Sequence, residues 1–199
     1  MAVHTATIAP RRVLADLIPT STVHARARDA ALVLGGAVAT GLSAQVAIEI
    51  PAISPVPFVL TTLTVLLLGA AYGPARAAAS MVLYLAAGLA GVPWFAEGAH
   101  GTVPTLGYVL GYLVAATVVG ALARRGADRT IMRTAGVMLL GSAIIYAFGV
   151  PYLMAATGMG LTDGLVRGAG LFVVTDIIKL VIAAALLPGS WAMVKKFSH

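Results

Sequence analysis

Two oppositely charged residues, Asp176 and Lys179, lie three positions apart in an otherwise apolar stretch of residues 168–187. Residues three apart lie on the same side of a helix, so this carboxylate and this ammonium group can pair. An ionised group at the centre of a bilayer costs at least about 2.5–3.5 kcal/mol, and such groups usually face the protein interior and mark a functional site. The pair is therefore the first candidate for a binding site.

The chemistry of the pair favours a polar ligand. A carboxylate accepts hydrogen bonds and an ammonium group donates three, so together they suit a ligand group that presents both N–H and C=O. The alternative is an ion pair that only holds the helices together. A buried ion pair rarely stabilises more than apolar packing does, because desolvation offsets the attraction, and this weakens the alternative.

The composition places this pair in a membrane protein. Of the 199 residues, 60% are hydrophobic and only 10% are charged, and the mean hydropathy is +0.97. An ordinary soluble domain has about 25% charged residues. Short alternating segments of the kind that build a membrane β-barrel are absent, so an all-α integral membrane protein is predicted.

Six apolar stretches approach the roughly 20 residues that a helix needs to cross a bilayer. The predicted spans are residues 30–48, 58–72, 75–92, 104–123, 131–150 and 168–187. Gly73-Pro74 divides the second span from the third, which predicts a tight turn between two antiparallel helices. The fold prediction is therefore a bundle of six transmembrane helices.

The basic residues orient this bundle. With six spans and a cytoplasmic N-terminus, eleven Lys and Arg residues fall on the cytoplasmic side, Arg167 alone falls outside, and Lys179 completes the 13. Because short cytoplasmic loops carry the excess of basic residues, both termini are predicted to be cytoplasmic. This bias explains the net charge of +6 without a nucleic-acid partner, and no basic and aromatic platform for one is present.

The chain divides into three predicted regions. Residues 1–29 form a polar cytoplasmic extension, 30–188 the membrane domain, and 189–199 a short basic cytoplasmic tail. The extension has no apolar core of about 7–15 residues, so a cleavable signal peptide is not predicted.

Small residues recur every four positions in the first span, at Ala31, Gly35, Ala39, Ser43 and Ala47. Small side chains allow two membrane helices to approach closely. The stripe is compatible with packing inside the chain and with docking of another protein, and its spacing does not decide between them.

The predicted outer loop between the third and fourth spans contains Trp94, Phe95, Glu97 and His100. Its aromatic side chains suit either a cap over a cavity or a position at the membrane interface. The spacing of Glu97 and His100 matches no metal-ligand pattern, and the chain has no cysteine, so no metal site is predicted.

Motifs for catalysis are missing. The sequence contains no H-E-x-x-H and no G-x-S-x-G, and His100 is its one histidine outside the terminal regions. An intramembrane hydrolase is therefore disfavoured, and no cofactor is predicted. A secondary transporter is a stronger rival, because an ionisable pair inside a bundle can couple transport to protons.

Several short motifs occur together in a characteristic order. They are Pro55-Val56-Pro57-Phe58, Gly73-Pro74 with Arg76, Leu83-Tyr84-Leu85, Gly88, Gly91, Pro93, Phe95-Ala96, Gly107-Tyr108, Gly111 and Asp176-x-x-Lys179. This pattern resembles the BioY family, the biotin-specific S components of energy-coupling factor (ECF) transporters. The resemblance covers roughly residues 45–187.

The resemblance implies a six-helix S component in a bacterial cytoplasmic membrane that captures biotin from outside. It also implies a transmembrane T component and two ATP-binding subunits as partners, with ATP hydrolysis on those subunits. The chain itself has no G-x-x-x-x-G-K-[ST] motif. On this basis Ala31, Gly35, Ala39 and Ser43 are expected to dock the T component. A stand-alone biotin transporter, working without all or part of this module, is the alternative.

The resemblance also implies roles for individual residues. Asp176 is expected to accept a ureido N–H of biotin and Lys179 to donate to the ureido oxygen. Tyr108, Trp94 and Phe95 are expected to line the pocket around the apolar part of the ligand.

This chain departs from the family pattern in places. The run that ends at Tyr108 is shorter than is usual, and Val59 and Thr61 replace the usual Thr and Gln. No cation for the biotin carboxylate is identified besides Lys179.

Overall fold

The computed structural model describes residues 12–19, 21, 24–48, 50, 52 and 54–197. Its α-helices are α1 (Ala25–Ala44), α2 (Thr61–Tyr72), α3 (Pro74–Leu89), α4 (Leu106–Arg124), α5 (Ile131–Thr157), α6 (Leu161–Gly168) and α7 (Val173–Phe197). Within these described residues, short 3₁₀-helices lie at Leu14–Leu17, Ala96–Gly98 and Gly170–Phe172. The strands β1 (Ala47–Ile48) and β2 (Phe58–Val59) pair antiparallel, with Ala47 opposite Val59.

Helix α4 lies at the centre of the bundle, where it packs against α2, α3 and α5, while α1 packs on α3 and α7 packs on α5. Glycines allow the backbones at these crossings to approach closely. A Cβ built on Gly111 would lie 2.9 Å from the Ile145 backbone, and one on Gly69 would lie 2.8 Å from the Ala116 carbonyl oxygen. Such contacts are typical of helix association in membranes.

The bundle has two different ends. The loop end is formed by residues 90–105 and 158–172 with residues 45–48, 50, 52 and 54–60. Its segments are joined by hydrogen bonds such as Ser54 Oγ to the Arg167 carbonyl oxygen at 2.7 Å. The arginine end is formed by residues 12–19, 21, 24–29, 72–76 and 124–130 together with the C-terminal part of α7. There, Arg129 donates to the Arg12 carbonyl oxygen at 3.0 Å.

Among the described residues, three helical stretches are long and apolar enough to span a membrane: Leu106–Arg124, Ile131–Thr157, and Leu161–Phe197, which joins α6 and α7. Helices α2 and α3 are apolar but shorter. The prediction of an all-α, multi-pass membrane protein is therefore confirmed. The count of six spans and the cytoplasmic position of both termini stay predictions.

The turn between the second and third predicted spans lies where the sequence places it. Helix α2 ends at Tyr72, Gly73 adopts φ 79°, and Pro74 is the first residue of α3. Glycine accommodates this positive φ without a clash, and proline fits the first helical position because its missing N–H would have no intrahelical acceptor.

The helices of the fifth and sixth predicted spans both continue further along the chain than the predicted span ends. Helix α5 continues through Pro151 to Thr157, whereas the fifth span was predicted to end at residue 150. Helix α7 continues through Pro188 to Phe197, so the predicted tail is helical as far as it is described. Leu153 on α5 and Trp191 on α7 are almost completely buried beyond these prolines, and their packing offsets the local loss of a backbone hydrogen bond.

The start of the sixth span also differs from the prediction. It was predicted at residue 168, but residues 161–168 form the separate short helix α6, and α7 begins only at Val173. Tyr108 on α4 donates to the Gly168 carbonyl oxygen at 2.8 Å, so this break between the two helices is fixed to the bundle.

Part of the predicted N-terminal extension lies on the arginine end, while its residues 1–11, 20, 22 and 23 lie outside the described part of the chain. Val13 is completely buried. Arg76 at the start of α3 donates to Asp16 at 2.7 Å and to Asp29 at 3.0 Å. The segment around the 3₁₀-helix Leu14–Leu17 is thus attached to the turn between α2 and α3.

This attachment makes stability depend on pH. Burial by itself would raise the pKa of Asp16, but the hydrogen bonds from Arg76 and from the Val13 N–H, with the positive charges of Arg76 and Arg124, hold it below its usual value. A lowered pKa in the folded state contributes stability above the unfolded pKa of about 3.9, and this contribution is lost as the pH falls through the folded value.

We therefore expect Asp16→Asn to lower the melting temperature of the detergent-solubilised protein at pH 7, by a few degrees at most because the pair is partly exposed. Thermal unfolding should be recorded between pH 7 and about pH 3, and the difference from the wild type should shrink as Asp16 becomes protonated. Asp163→Asn, on the exposed face of α6, is the control. A difference that does not change with pH would contradict this role of the Asp16 charge.

Candidate functional site

A cavity of about 580 Å³, including the part open to solvent, lies at the loop end of the bundle. The wall is mostly apolar and is rich in aromatic side chains, which are Tyr84, Phe95, Tyr108, Tyr112, Tyr146 and Phe172. It therefore offers flat apolar surface with few polar groups.

The charged pair lies on α7 beside this cavity. Lys179 Nζ is 3.3 Å from Asp176 Oδ1, and each side chain is only 15% exposed. Lys179 also donates to Thr62 Oγ1 on α2 at 2.7 Å. Tyr146 on α5 donates its hydroxyl to Asp176 Oδ2 at 2.5 Å. The two charges are thus held by each other and by two neighbouring helices.

Only one of the two charged residues, Lys179, lines the main cavity. Lys179 and Thr62 line the main cavity, while Asp176 lines a second cavity of about 240 Å³ that shares Thr62 and Lys179 with the first. The second cavity is otherwise bounded mainly by apolar side chains of α2, α5 and α7, with Ser142 as a further polar residue. The charged pair therefore lies at the boundary between the two cavities.

Tyr108 and Phe95, both predicted from the sequence, line the main cavity and are almost completely buried. The Tyr108 hydroxyl donates to the Gly168 carbonyl oxygen, so its ring is the part that is available to a ligand. The close approach of these rings requires glycine opposite them, since a Cβ on Gly149 would lie 2.2 Å from Tyr108 and one on Gly88 would lie 2.2 Å from Phe95.

Trp94 is not among the residues that line the cavity, although its ring packs against that of Tyr84, which does line it. Its indole N–H donates to the Tyr84 carbonyl oxygen at 2.9 Å, and its ring packs on α1 so closely that a Cβ on Gly41 would lie 3.0 Å from it. Gln45 donates to the carbonyl oxygens of Trp94 and Phe95. Through these contacts Trp94 holds the loop of residues 90–105 against α1 and α3. A contact between Trp94 and the ligand stays a prediction.

Sequence reasoning missed several residues of the site. Tyr146 and Thr62 bind the charged pair, and Tyr112 and Thr61 line the main cavity. The spacing of Tyr108 and Tyr112, four residues apart on one helix, was an available signal because it places both rings on one face. Tyr146 and Thr62 gave no comparable signal, since their role depends on how α5 and α2 are rotated towards α7.

The site has the character of a binding pocket. Within the described ranges, no group of three or more His, Cys, Asp or Glu residues could hold a metal ion. The polar groups on the cavity are a lysine, threonine hydroxyls and phenols, placed among apolar walls. This arrangement can orient a ligand that has one polar end and an apolar body.

Comparisons with known proteins agree with this description. The family model described as BioY family matches residues 17–196. The chain is 32% identical to the biotin transporter BioY of Rhizobium etli over 143 residues, which are 66% of this chain and 76% of that relative. It is 35% identical to the biotin transporter BioY of Thermotoga maritima over 143 residues, which are 70% of this chain and 82% of that relative.

The fold has a counterpart among solved structures. The crystal structure of an S-component for biotin from an ECF-type ABC transporter matches 87% of this chain and 95% of that chain with a TM-score of 0.76. The sequences are 19% identical, so this likeness concerns the fold alone.

Proposed function

The chain belongs to the BioY family, and from this premise we propose that it captures biotin for uptake across the cytoplasmic membrane as the S component of an ECF-type transporter. The observation that carries the proposal is the Asp176–Lys179 pair on the boundary of an aromatic cavity. Biotin has a ureido group with N–H and C=O at one end and an apolar bicycle and chain behind it. The polar ureido group matches the charged pair, and the apolar bicycle and chain match the aromatic wall of the cavity.

The two charged side chains bind different atoms of the ureido group. Lys179 Nζ, on the wall of the main cavity, donates to the ureido oxygen, and Asp176 accepts a ureido N–H at the boundary with the second cavity. An ionised carboxylate has about four lone-pair sites. Tyr146 and Lys179 occupy one site on each oxygen, so acceptor capacity remains for the ligand.

Tyr146 and Thr62 position these two groups before the ligand arrives. Tyr146 fixes the Asp176 carboxylate from α5, and Thr62 fixes the Lys179 ammonium group from α2. Because the polar groups are already oriented, little conformational entropy is lost on binding. The rings of Tyr108, Phe95 and Phe172 then surround the apolar part of biotin.

Transport requires partners on this proposal. The protein spans the bacterial cytoplasmic membrane with both termini inside, and a T component with two ATP-binding subunits supplies energy. The exposed part of the stripe on α1 supports docking, since Ala31 and Gly35 are exposed and Ala39 is half-buried, while Ser43 is buried within the chain. Nothing lies within 4 Å of a Cβ built on Gly35.

Substitution of the charged pair tests biotin recognition. We expect Asp176→Asn and Lys179→Ala each to weaken biotin binding by about tenfold or more, because a hydrogen bond to a charged group is lost and the other charge remains buried. Isothermal titration with the purified protein in detergent measures the affinities. Asp163→Asn, which changes an exposed carboxylate of α6, is the control and should bind like the wild type. Unchanged affinity in Asp176→Asn would remove Asp176 from the site.

A bulky side chain on the exposed stripe tests partner docking. We expect Gly35→Leu to bind biotin normally and to abolish assembly with co-expressed T and ATP-binding subunits, because close helix approach requires a small residue. Co-purification and biotin-dependent ATP hydrolysis are the measurements. Gly136→Leu on α5 is the matched control, since its Cβ also meets open space. Normal assembly of Gly35→Leu would contradict docking through this stripe, and failure of the wild type to assemble would favour a stand-alone transporter.

A further inference from the structure

Thr61 is a buried polar residue whose role the charged pair does not explain. It is the first residue of α2, it lines the main cavity, and it is only 1% exposed. Its Oγ1 atom is buried and has no hydrogen-bond partner in the part of the chain that the structure describes. A buried hydroxyl without a partner is unfavourable, so its presence on a cavity wall requires an explanation.

The backbone around Thr61 also offers unused donors. Leu60, which precedes α2, provides no side-chain cap for the helix. Across the described ranges, the N–H groups of Thr61 and Thr62 have no acceptor, whereas those of Leu63 and Thr64 bond to the Leu60 carbonyl oxygen. A helix N-terminus carries a partial positive charge and attracts groups with negative charge.

A full positive charge lies beside this helix end. Lys179 Nζ is 2.7 Å from the Oγ1 of the neighbouring Thr62, and both residues line the same cavity as Thr61. Three kinds of donor therefore belong to residues of the same cavity wall: a hydroxyl without a partner in the described ranges, the first N–H groups of α2 and an ammonium group. A ligand oxygen that accepts hydrogen bonds fits all three, whereas a ligand N–H has only the Thr61 hydroxyl oxygen as an acceptor among them.

We infer that Thr61, the N-terminus of α2 and Lys179 form one subsite for an oxygen acceptor of the ligand, with the Thr61 hydroxyl as a specificity-determining donor. This rests on the proposed function. The proposed function assigns the ureido oxygen of biotin to Lys179, and a carboxylate oxygen is the other acceptor in biotin that the same donors fit. The subsite explains why a polar residue without a partner lies on the wall of an aromatic cavity.

The test compares the hydroxyl of Thr61 with an equivalent hydroxyl elsewhere. Thr61→Val removes the hydroxyl and keeps the shape of the side chain, while Thr61→Ser keeps the hydroxyl. Thr134→Val is the matched control, because Thr134 on α5 is completely buried, has an Oγ1 without a partner in the described part of the chain, and lines neither cavity.

We expect Thr61→Val to weaken biotin binding about five- to tenfold in isothermal titration, and Thr61→Ser and Thr134→Val to bind within about twofold of the wild type. The melting temperature of ligand-free Thr61→Val should be unchanged or higher, since an unsatisfied hydroxyl is removed. A purely structural role for Thr61 would instead lower the melting temperature and leave the affinity of the folded protein unchanged.

Two biotin analogues identify the acceptor. If it is the ureido oxygen, the effect of Thr61→Val persists with a biotin analogue whose side chain ends in a methyl group instead of the carboxylate, and it disappears with diaminobiotin, which lacks the ureido oxygen. If it is the carboxylate, the effect disappears with the analogue that lacks the carboxylate and persists with diaminobiotin. Either result supports the subsite, and the second result contradicts the assignment of Lys179 to the ureido oxygen. Equal biotin affinity of the wild type and Thr61→Val overturns it, whereas a wild type that does not bind biotin overturns the proposed function itself.

Discussion

The desolvation of two charges inside an apolar bundle is the constraint on which this structure depends. Asp176 and Lys179 lie on α7, and each side chain is mostly removed from solvent. Their attraction alone rarely compensates for the loss of hydration, so further hydrogen bonds are needed. Tyr146 from α5 and Thr62 from α2 provide them. These hydrogen bonds fix how α2, α5 and α7 are rotated relative to one another.

The loop end and the arginine end of the bundle have different structural roles. At the loop end, the segment of residues 90–105 is held by Gln45 and by Trp94, and this keeps Phe95 on the cavity wall. At the arginine end, Trp191 donates to Asp128 at 2.6 Å and packs under Arg129, whose guanidinium carbon is 3.8 Å from the ring centre. Burial raises the pKa of Asp128, against the effect of the Trp191 hydrogen bond. One end thus encloses a cavity, and the other holds the helices together.

The features that could be predicted are those that depend on local chemistry. A charged pair three residues apart and a Gly73-Pro74 turn are visible in the sequence, and the turn lies where it was predicted. Tyr146 and Thr62 could not be predicted, because their partners come from distant parts of the chain. The helices that continue through Pro151 and Pro188 were missed for a related reason, since burial of Leu153 and Trp191 outweighs the local preference for a break.

A structure of the protein with biotin bound tests most directly the claim that the charges on α7 are kept for a ligand. The account predicts the bicycle among the aromatic side chains of the main cavity, with the ureido oxygen within about 3.2 Å of Lys179 Nζ and a ureido N–H directed at the Asp176 carboxylate. Biotin bound elsewhere, or an Asp176–Lys179 pair that makes no contact with the ligand, would contradict it. The charges would then be a structural ion pair.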